Sequence, residues 1–251
     1  MLNRKNLQHG ITLIELMIAS VIALIALSSV ITVYSATATH SSQLLQQAHL
    51  HQQLRGMIHL ISSDLKRAGY WSFSPNLLAA TENPFQYPAN QLHIQTYKEE
   101  NPNSCILFSY DLNEDGLVGV GRCDNAGCTS QTDDDNVEQF GFRLRDTRIQ
   151  SRFGGTGFDC EHGYWQTIND KNIEITQLRF TQRSRCLNLV DNSLDCTPAS
   201  SQLIQRGIEI QLSGQISNKP DTRITLTHWV RIRNDMLREG ASDANQSTLD
   251  K

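Results

Sequence analysis

Residues 11–34 read ITLIELMIASVIALIALSSVITVY, twenty-four positions with a single charge, Glu15. A helix of that length spans about 36 Å, enough to cross a bilayer. Ahead of it, MLNRKNLQHG carries Arg4 and Lys5, and the next basic residue is Arg55. That asymmetry predicts a single-pass anchor, with a cytoplasmic N-terminus and the chain beyond about residue 35 on the far side. Glu15 is the anomaly, because a carboxylate deep in a bilayer costs about 2.5–3.5 kcal/mol. Near the helix start the cost falls, since the helix dipole there favours negative charge. Glu15 is expected to meet a cation in an assembled state. A secretory signal peptide is the competing reading, because Ala36-Thr37-Ala38 forms an A-x-A cleavage site. Against it, Glu15 interrupts the apolar core, and the core is longer than such a peptide needs.

The helical period continues past the apolar run, over residues 35–69. Leu54, Ile58, Ile61, Leu65 and Ala68 form one apolar stripe on a segment otherwise rich in Gln, Ser, His and Asp. Gly69 supplies a C-cap, and Pro75 blocks a restart. The spacing predicts one helix, apolar all round in its first half and amphipathic in its second. His49, His51 and His59 lie on it without an i, i+4 pair and read as surface histidines.

From about residue 90 the period becomes two. Residues 92–97, 105–110, 140–145, 173–175, 178–180, 208–212 and 224–232 read as strands. They predict an antiparallel sheet with one wet face, its other face covered by the amphipathic helix. The fold class is therefore α+β. The sheet domain is placed at 70–234, followed by a polar, disordered tail over 235–251.

All six cysteines lie beyond residue 100, which suggests an oxidising compartment and structural disulfides. Many connectivities are possible; local pairing favours Cys123–Cys128 and Cys186–Cys196, which leaves Cys105–Cys160. Asp111-x-Asn113-x-Asp115-Gly116 has the spacing that opens an EF-hand calcium loop, but Arg122 stands where the bidentate glutamate belongs. A tight turn between strands is the alternative. Arg143, Arg145, Arg148 and Arg152 form a basic stretch, read as a solvated sheet face. The net charge of −4 gives no general attraction to nucleic acid. Gly154-Gly155-Thr156-Gly157 lacks the lysine of a phosphate loop, and no hydrolase, metalloprotease or dinucleotide-binding motif is present.

The segment G-I-T-L-I-E-L-M at Gly10–Met17 resembles the processing signal of type IV pilins and of the pseudopilins of type II secretion. The resemblance implies a leader over 1–10 and cleavage between Gly10 and Ile11 by a prepilin peptidase. It further implies N-methylation of Ile11 and pairing of Glu15 with the terminal amine of a neighbouring subunit. Ile11 stands where that family usually has Phe, and residues 11–74 lack the proline of many major pilins. Asp64-Leu65-Lys66-Arg67-Ala68-Gly69-Tyr70 resembles the minor pilins called PilW and the J-type pseudopilins. So do the segments at 108–116, 140–144, 165–170 and 230–234. This implies a pilin fold and a non-enzymatic minor pilin that starts or caps a filament. The subunit would sit in the inner membrane with its domain in the periplasm, then in the pilus, at the tip. Its partners would be other minor pilins, the major pilin, the prepilin peptidase and the inner-membrane assembly platform. No cofactor is implied beyond the calcium weighed above. A J-type pseudopilin is the nearest alternative, and an anchored or secreted binding protein or enzyme is the alternative from another class.

Overall fold

Leu13–Leu65 form one helix, α1, of 53 residues. The computed structural model describes residues 10, 12–72, 83–114, 116, 118–119, 122–124, 127–129, 137–155, 157–194, 196–197 and 200–238. The chain divides into two compact units, Met1–His49 and Leu50–Lys251. In the first unit every large apolar side chain from Leu13 to Tyr34 is exposed, each by more than half. Such a surface requires lipid or other helices around it. In the second unit α1 buries Leu50, Leu54, Met57, Ile58, Ile61 and Leu65. Ala68 joins them in the turn after the helix, where Gly69 takes φ +73° and its N–H donates to Ser109 O at 2.7 Å.

Eleven strands follow among the described residues: β1 His93–Gln95, β2 Cys105–Ser109, β3 Arg122–Asp124, β4 Gly127–Thr129, β5 Gln139–Arg145, β6 Arg148–Arg152, β7 Trp165–Thr167, β8 Ile173–Asn188, β9 Gln202–Ile216, β10 Lys219–Arg231 and β11 Met236–Arg238. They build a five-stranded sheet in the order β1-β2-β5-β6-β7, a second sheet centred on β9, with β8 on one side and β10 and β11 on the other, and a two-stranded ribbon of β3 and β4. All of their pairings are antiparallel. The two segments expected at 173–175 and 178–180 are one strand, β8, with a register shift between Ile175 and Gln177. Met236–Arg238, expected in the polar tail, pair with Gln202–Ile204 of β9. Residues 239–251 lie outside the described residues.

One core joins the helix to both sheets. Ile106, Phe108, Phe142, Leu144 and Ile149 come from the first sheet, and Ile175, Phe180, Ile208, Ile210, Leu212 and Val230 from the second. Phe108, Tyr110, Phe140 and Phe142 stack within it. The helix comes close to β9 at Gly214, where a Cβ would stand 2.8 Å from Leu54 Cδ2.

The first sheet differs from expectation on its other face, which is not wet. The 153–164 loop folds over it, and the Cys105–Cys160 disulfide ties that loop to β2. A second apolar cluster of Tyr97, Cys105, Leu107 and Cys160 forms there, with Phe158 and Trp165 packed against it. Arg143, Arg145, Arg148 and Arg152 do share this face, since Arg143 pairs with Gln150 and Arg145 with Arg148. Yet Arg143 and Arg152 are buried under the loop. The Arg143 guanidinium lies 4.4 Å from the Tyr97 ring centre and 4.1 Å from that of Trp165, a cation between two aromatic faces. Its Nε donates to Gln150 Oε1 at 2.8 Å, and Nη1 donates to Cys160 O. Arg152 donates to Gln139 O, and to Gly155 O and Gly157 O at 2.9 and 2.7 Å. These arginines therefore hold the loop down and are not a solvated basic face.

Candidate assembly site

The helix opens with a reciprocal cap. Thr12 N and Thr12 Oγ1 both donate to Glu15 Oε2 at 2.9 Å, and Glu15 N donates back to Thr12 Oγ1 at 3.4 Å. Thr12 is the N-cap and Glu15 the third helical residue, the spacing of a capping box. The carboxylate thus satisfies an N-terminal N–H that has no partner inside the helix, and it sits at the positive end of the helix dipole. Both effects lower the cost of a charge beside an apolar run. Gly10 is exposed with open space around it, and Ile11 lies outside the described residues. Sequence reasoning weighed Glu15 as a charge, in the bilayer, at the helix dipole and against a neighbour's amine, and passed over Thr12, although T-x-x-E was there to be read as a cap signature.

The Asp111 loop is organised from within. Asp111 Oδ2 accepts from Ser72 N at 2.9 Å and Gly116 N at 3.0 Å. Glu138, which the sequence did not single out, spans the loop: Oε1 accepts from Leu112 N at 2.9 Å and Asn113 N at 3.4 Å, and Oε2 accepts from Gly119 N at 3.0 Å. Asp111 Oδ1 is buried without a hydrogen-bond partner. Asp115 lies outside the described residues. Among the described residues no three His, Cys, Asp or Glu side chains gather as a metal group.

Burial pushes the Glu138 carboxyl up to about 6, with Asp111 adding repulsion and the three N–H bonds pulling the other way. An unshifted glutamate titrates near 4.5, so between those values the folded chain holds the proton more tightly than the unfolded chain does. The stability Glu138 contributes therefore falls as pH rises through that window, by at most about 2 kcal/mol. Glu138→Gln is expected to gain up to that amount relative to wild type between pH 4.5 and 7, read by urea unfolding at each pH. A difference that does not change with pH would show that this carboxyl is not shifted.

The structure pairs Cys105 with Cys160 and Cys186 with Cys196. Cys123 and Cys128 face each other in the β3–β4 register, but their side chains lie outside the described residues.

Residues 5–31 match the prokaryotic N-terminal methylation motif, a window that contains Gly10, Ile11, Thr12 and Glu15. Residues 43–232 match the family described as prepilin peptidase-dependent protein B. The chain belongs to that family. A relative described as an uncharacterized protein of Haemophilus influenzae is 25% identical over 208 residues, covering 72% of this chain and 79% of its own length. No solved structure matches. As a prepilin peptidase-dependent protein, the chain is a membrane-anchored pilin-like subunit of the type IV pilin and pseudopilin class, with an apolar N-terminal helix and antiparallel sheets.

Proposed function

We propose that the chain is a minor pilin of a type IV pilus, one that starts or caps the filament. The observation that carries this reading is the junction at Thr12, where a carboxylate-bearing cap opens a helix whose apolar side chains are exposed all round. A helix of that kind is stable in lipid first and among similar helices later. In this reading the subunit waits in the inner membrane with its domain in the periplasm. The prepilin peptidase cuts between Gly10 and Ile11, and Ile11 is then N-methylated. The new amine stands next to Thr12, within reach of Glu15 on a neighbouring subunit, and this pairing guides entry into the helix bundle of the filament. Other minor pilins, the major pilin and the inner-membrane platform are the partners, and the sheet domain faces them or the tip. The role is structural and needs no catalytic group. The absence of proline from residues 12–72 of the sequence supports a minor over a major subunit.

Mass spectrometry of the mature N-terminal peptide tests the processing, with a methylated Ile11 as the expected terminus. A terminus at Thr39, or an uncleaved Met1, would overturn the reading. Deleting the gene is expected to remove surface pili and leave type II secretion intact; the reverse outcome would assign the chain to the secretion machine. Calcium at Asp111, Asn113 and Asp115 is a separate proposal, supported by the orphaned Asp111 Oδ1. Calorimetric titration with calcium decides it: no heat and no thermal shift would remove the site.

A further inference from the structure

A strand at the margin of a sheet presents a row of unpaired N–H and C=O groups, and folded chains shield such rows. The first sheet ends on β1 and β7, each only three residues long. On the outer side of β8, Ile175 N and Phe180 N donate to Thr147 O and Asn103 O at 2.9 and 3.0 Å, and Arg183 and Arg185 charge the stretch beyond. β10, at the other margin of the second sheet, is built differently. Its first residues include Pro220 and Asp221, with a register shift between Lys219 and Ile224. Residues 224–230 then read ITLTHWV, with no carboxylate, lysine or arginine, no proline and no register shift.

The register fixes which groups of β10 face outward. Ile232 N donates to Arg206 O at 3.0 Å, so the even-numbered residues of this strand bond to β9. The N–H and C=O groups of Thr225, Thr227, Trp229 and Arg231 therefore point away from β9. None of these backbone groups bonds to another strand or loop among the described residues. The Trp229 indole leaves the row clear, because it turns back onto β9, its Nε1 and Cζ2 each 2.8 Å from where a Cβ on Gly207 would stand. Ile224 and Leu226 lie at the margin of the core and are only partly buried. A further strand would extend the ladder and close that margin together. The row ends at Asn234 and Asp235, whose carbonyls accept from Arg206 Nη2 at 3.0 Å and Gln86 Nε2 at 3.3 Å.

The geometry points to β10 as the acceptor of an added strand from another polypeptide, running antiparallel along residues 225–231. A second copy of this chain does not fit. Leu54 of α1 meets β9 at Gly214, in the row of Ile224, and Gly69 after the helix meets Arg206, in the row of Ile232. The helix therefore runs in the direction of β10. Antiparallel pairing of two copies would set their helices head to tail, whereas chains anchored in one membrane share a direction. Parallel pairing across a two-fold axis would bring identical groups to the same height, N–H against N–H. Side chains specify the occupant further. Opposing residues share a face, so the added strand carries apolar side chains opposite Ile224 and Leu226. Arg231 is held by Asp235 at 3.2 Å, whereas Arg223 is exposed and has no ion pair among the described residues. The added strand thus places a carboxylate near its C-terminal end, opposite Arg223. The inference does not depend on the filament role, because the open edge belongs to the separate subunit.

The test uses the full chain in detergent micelles and a fluorescein-labelled peptide of alternating threonine and valine that ends in glutamate. Saturable binding, read by anisotropy, is expected. Thr227→Pro removes an N–H that β9 does not use, and edge strands tolerate proline at such a position. It is expected to weaken binding at least about tenfold, as is N-methylation of the peptide at its threonines, because the ladder supplies the affinity. Arg223→Glu is expected to weaken binding about threefold, the scale of an exposed ion pair, and a peptide ending in lysine should recover it. Amide hydrogen exchange of the unaltered chain, read by NMR, gives a second measure. Adding peptide should slow the amides of Thr225, Thr227 and Trp229 at least about tenfold, while those of Leu226 and His228 are slow throughout. Circular dichroism confirms that Thr227→Pro is folded; if it is not, the exchange pattern decides. No binding, binding indifferent to Thr227→Pro, or slowing without this alternation overturns the proposal. Slow exchange at the three amides before peptide is added, in a chain that light scattering shows to be a dimer, reassigns the edge to a second copy.

Discussion

Glu15→Gln is expected to insert into the membrane as well as wild type and to enter filaments at least about tenfold less efficiently. Glutamine keeps the geometry of the cap, because its amide oxygen still accepts from Thr12 N, as Glu15 Oε2 does at 2.9 Å. It removes only the charge. Insertion should not suffer, since a charge in the bilayer costs about 2.5–3.5 kcal/mol before any compensation. Two unit charges about 4 Å apart at an effective dielectric near 20 attract by about 4 kcal/mol, well beyond the 1.4 kcal/mol that a tenfold effect requires. Glu15→Ala removes both charge and cap, and adds about 0.5–2 kcal/mol of helix-end destabilisation. Comparing the three proteins in membrane and sheared-filament fractions separates the two roles. Normal incorporation of the glutamine variant would mean that the cap, and not the charge, serves assembly.

Arg152→Met should destabilise the sheet domain by about 3 kcal/mol or more. Arg152 is 1% exposed, and its guanidinium donates to Gln139 O, Gly155 O and Gly157 O. Each buried carbonyl left without a donor costs about 1–3 kcal/mol, partly recovered where water enters. Burial pushes the guanidinium down to about 10, so it stays charged at neutral pH and must be held by those oxygens. Methionine fills much of the space and replaces none of the bonds. Arg145→Met on the same face is the control. Arg145 is exposed, and its one ion pair among the described residues is with Asp146 at 3.4 Å, so its loss should fall within about 0.5 kcal/mol. Urea unfolding followed by tryptophan fluorescence reads both. A small effect at Arg152 would show that the 153–164 loop is not held by these bonds.

The stripe on α1 was legible because burial there obeys a local period: Leu54, Ile58, Ile61, Leu65 and Ala68 are all buried. The strands were legible for the same reason wherever one face is apolar. The outer part of β8 was missed because residues 181–185 are all polar and show no hydrophobic alternation to read. Arg183, Ser184 and Arg185 are strand residues by backbone pairing alone. Arg143 was misjudged on the ordinary tendency of arginine to stay in water. What buries it is a loop from further along the chain, with Tyr97 and Trp165 arriving from either side, and no local pattern encodes that meeting. Trp229 and Gly207 are likewise distant in sequence and adjacent only through register. The capping pair of Thr12 and Glu15 was legible but masked by a stronger question about charge in lipid.

The placement of Cys105–Cys160 has a consequence for how the domain matures. The inner face of the first sheet carries the apolar core shared with the helix and the second sheet. The outer face is closed by a loop whose cysteine is bonded to β2. The two faces of one sheet thus respond to different conditions, one to water and the other to an oxidant. Under reductant, limited proteolysis should cut first within 153–164 while the helix-facing core stays protected; simultaneous loss of both would contradict this. A domain held on the reducing side of a membrane would keep its outer layer ajar, with Arg143 and Arg152 hydrated. The closed loop is then a covalent record of the compartment in which the domain finished folding.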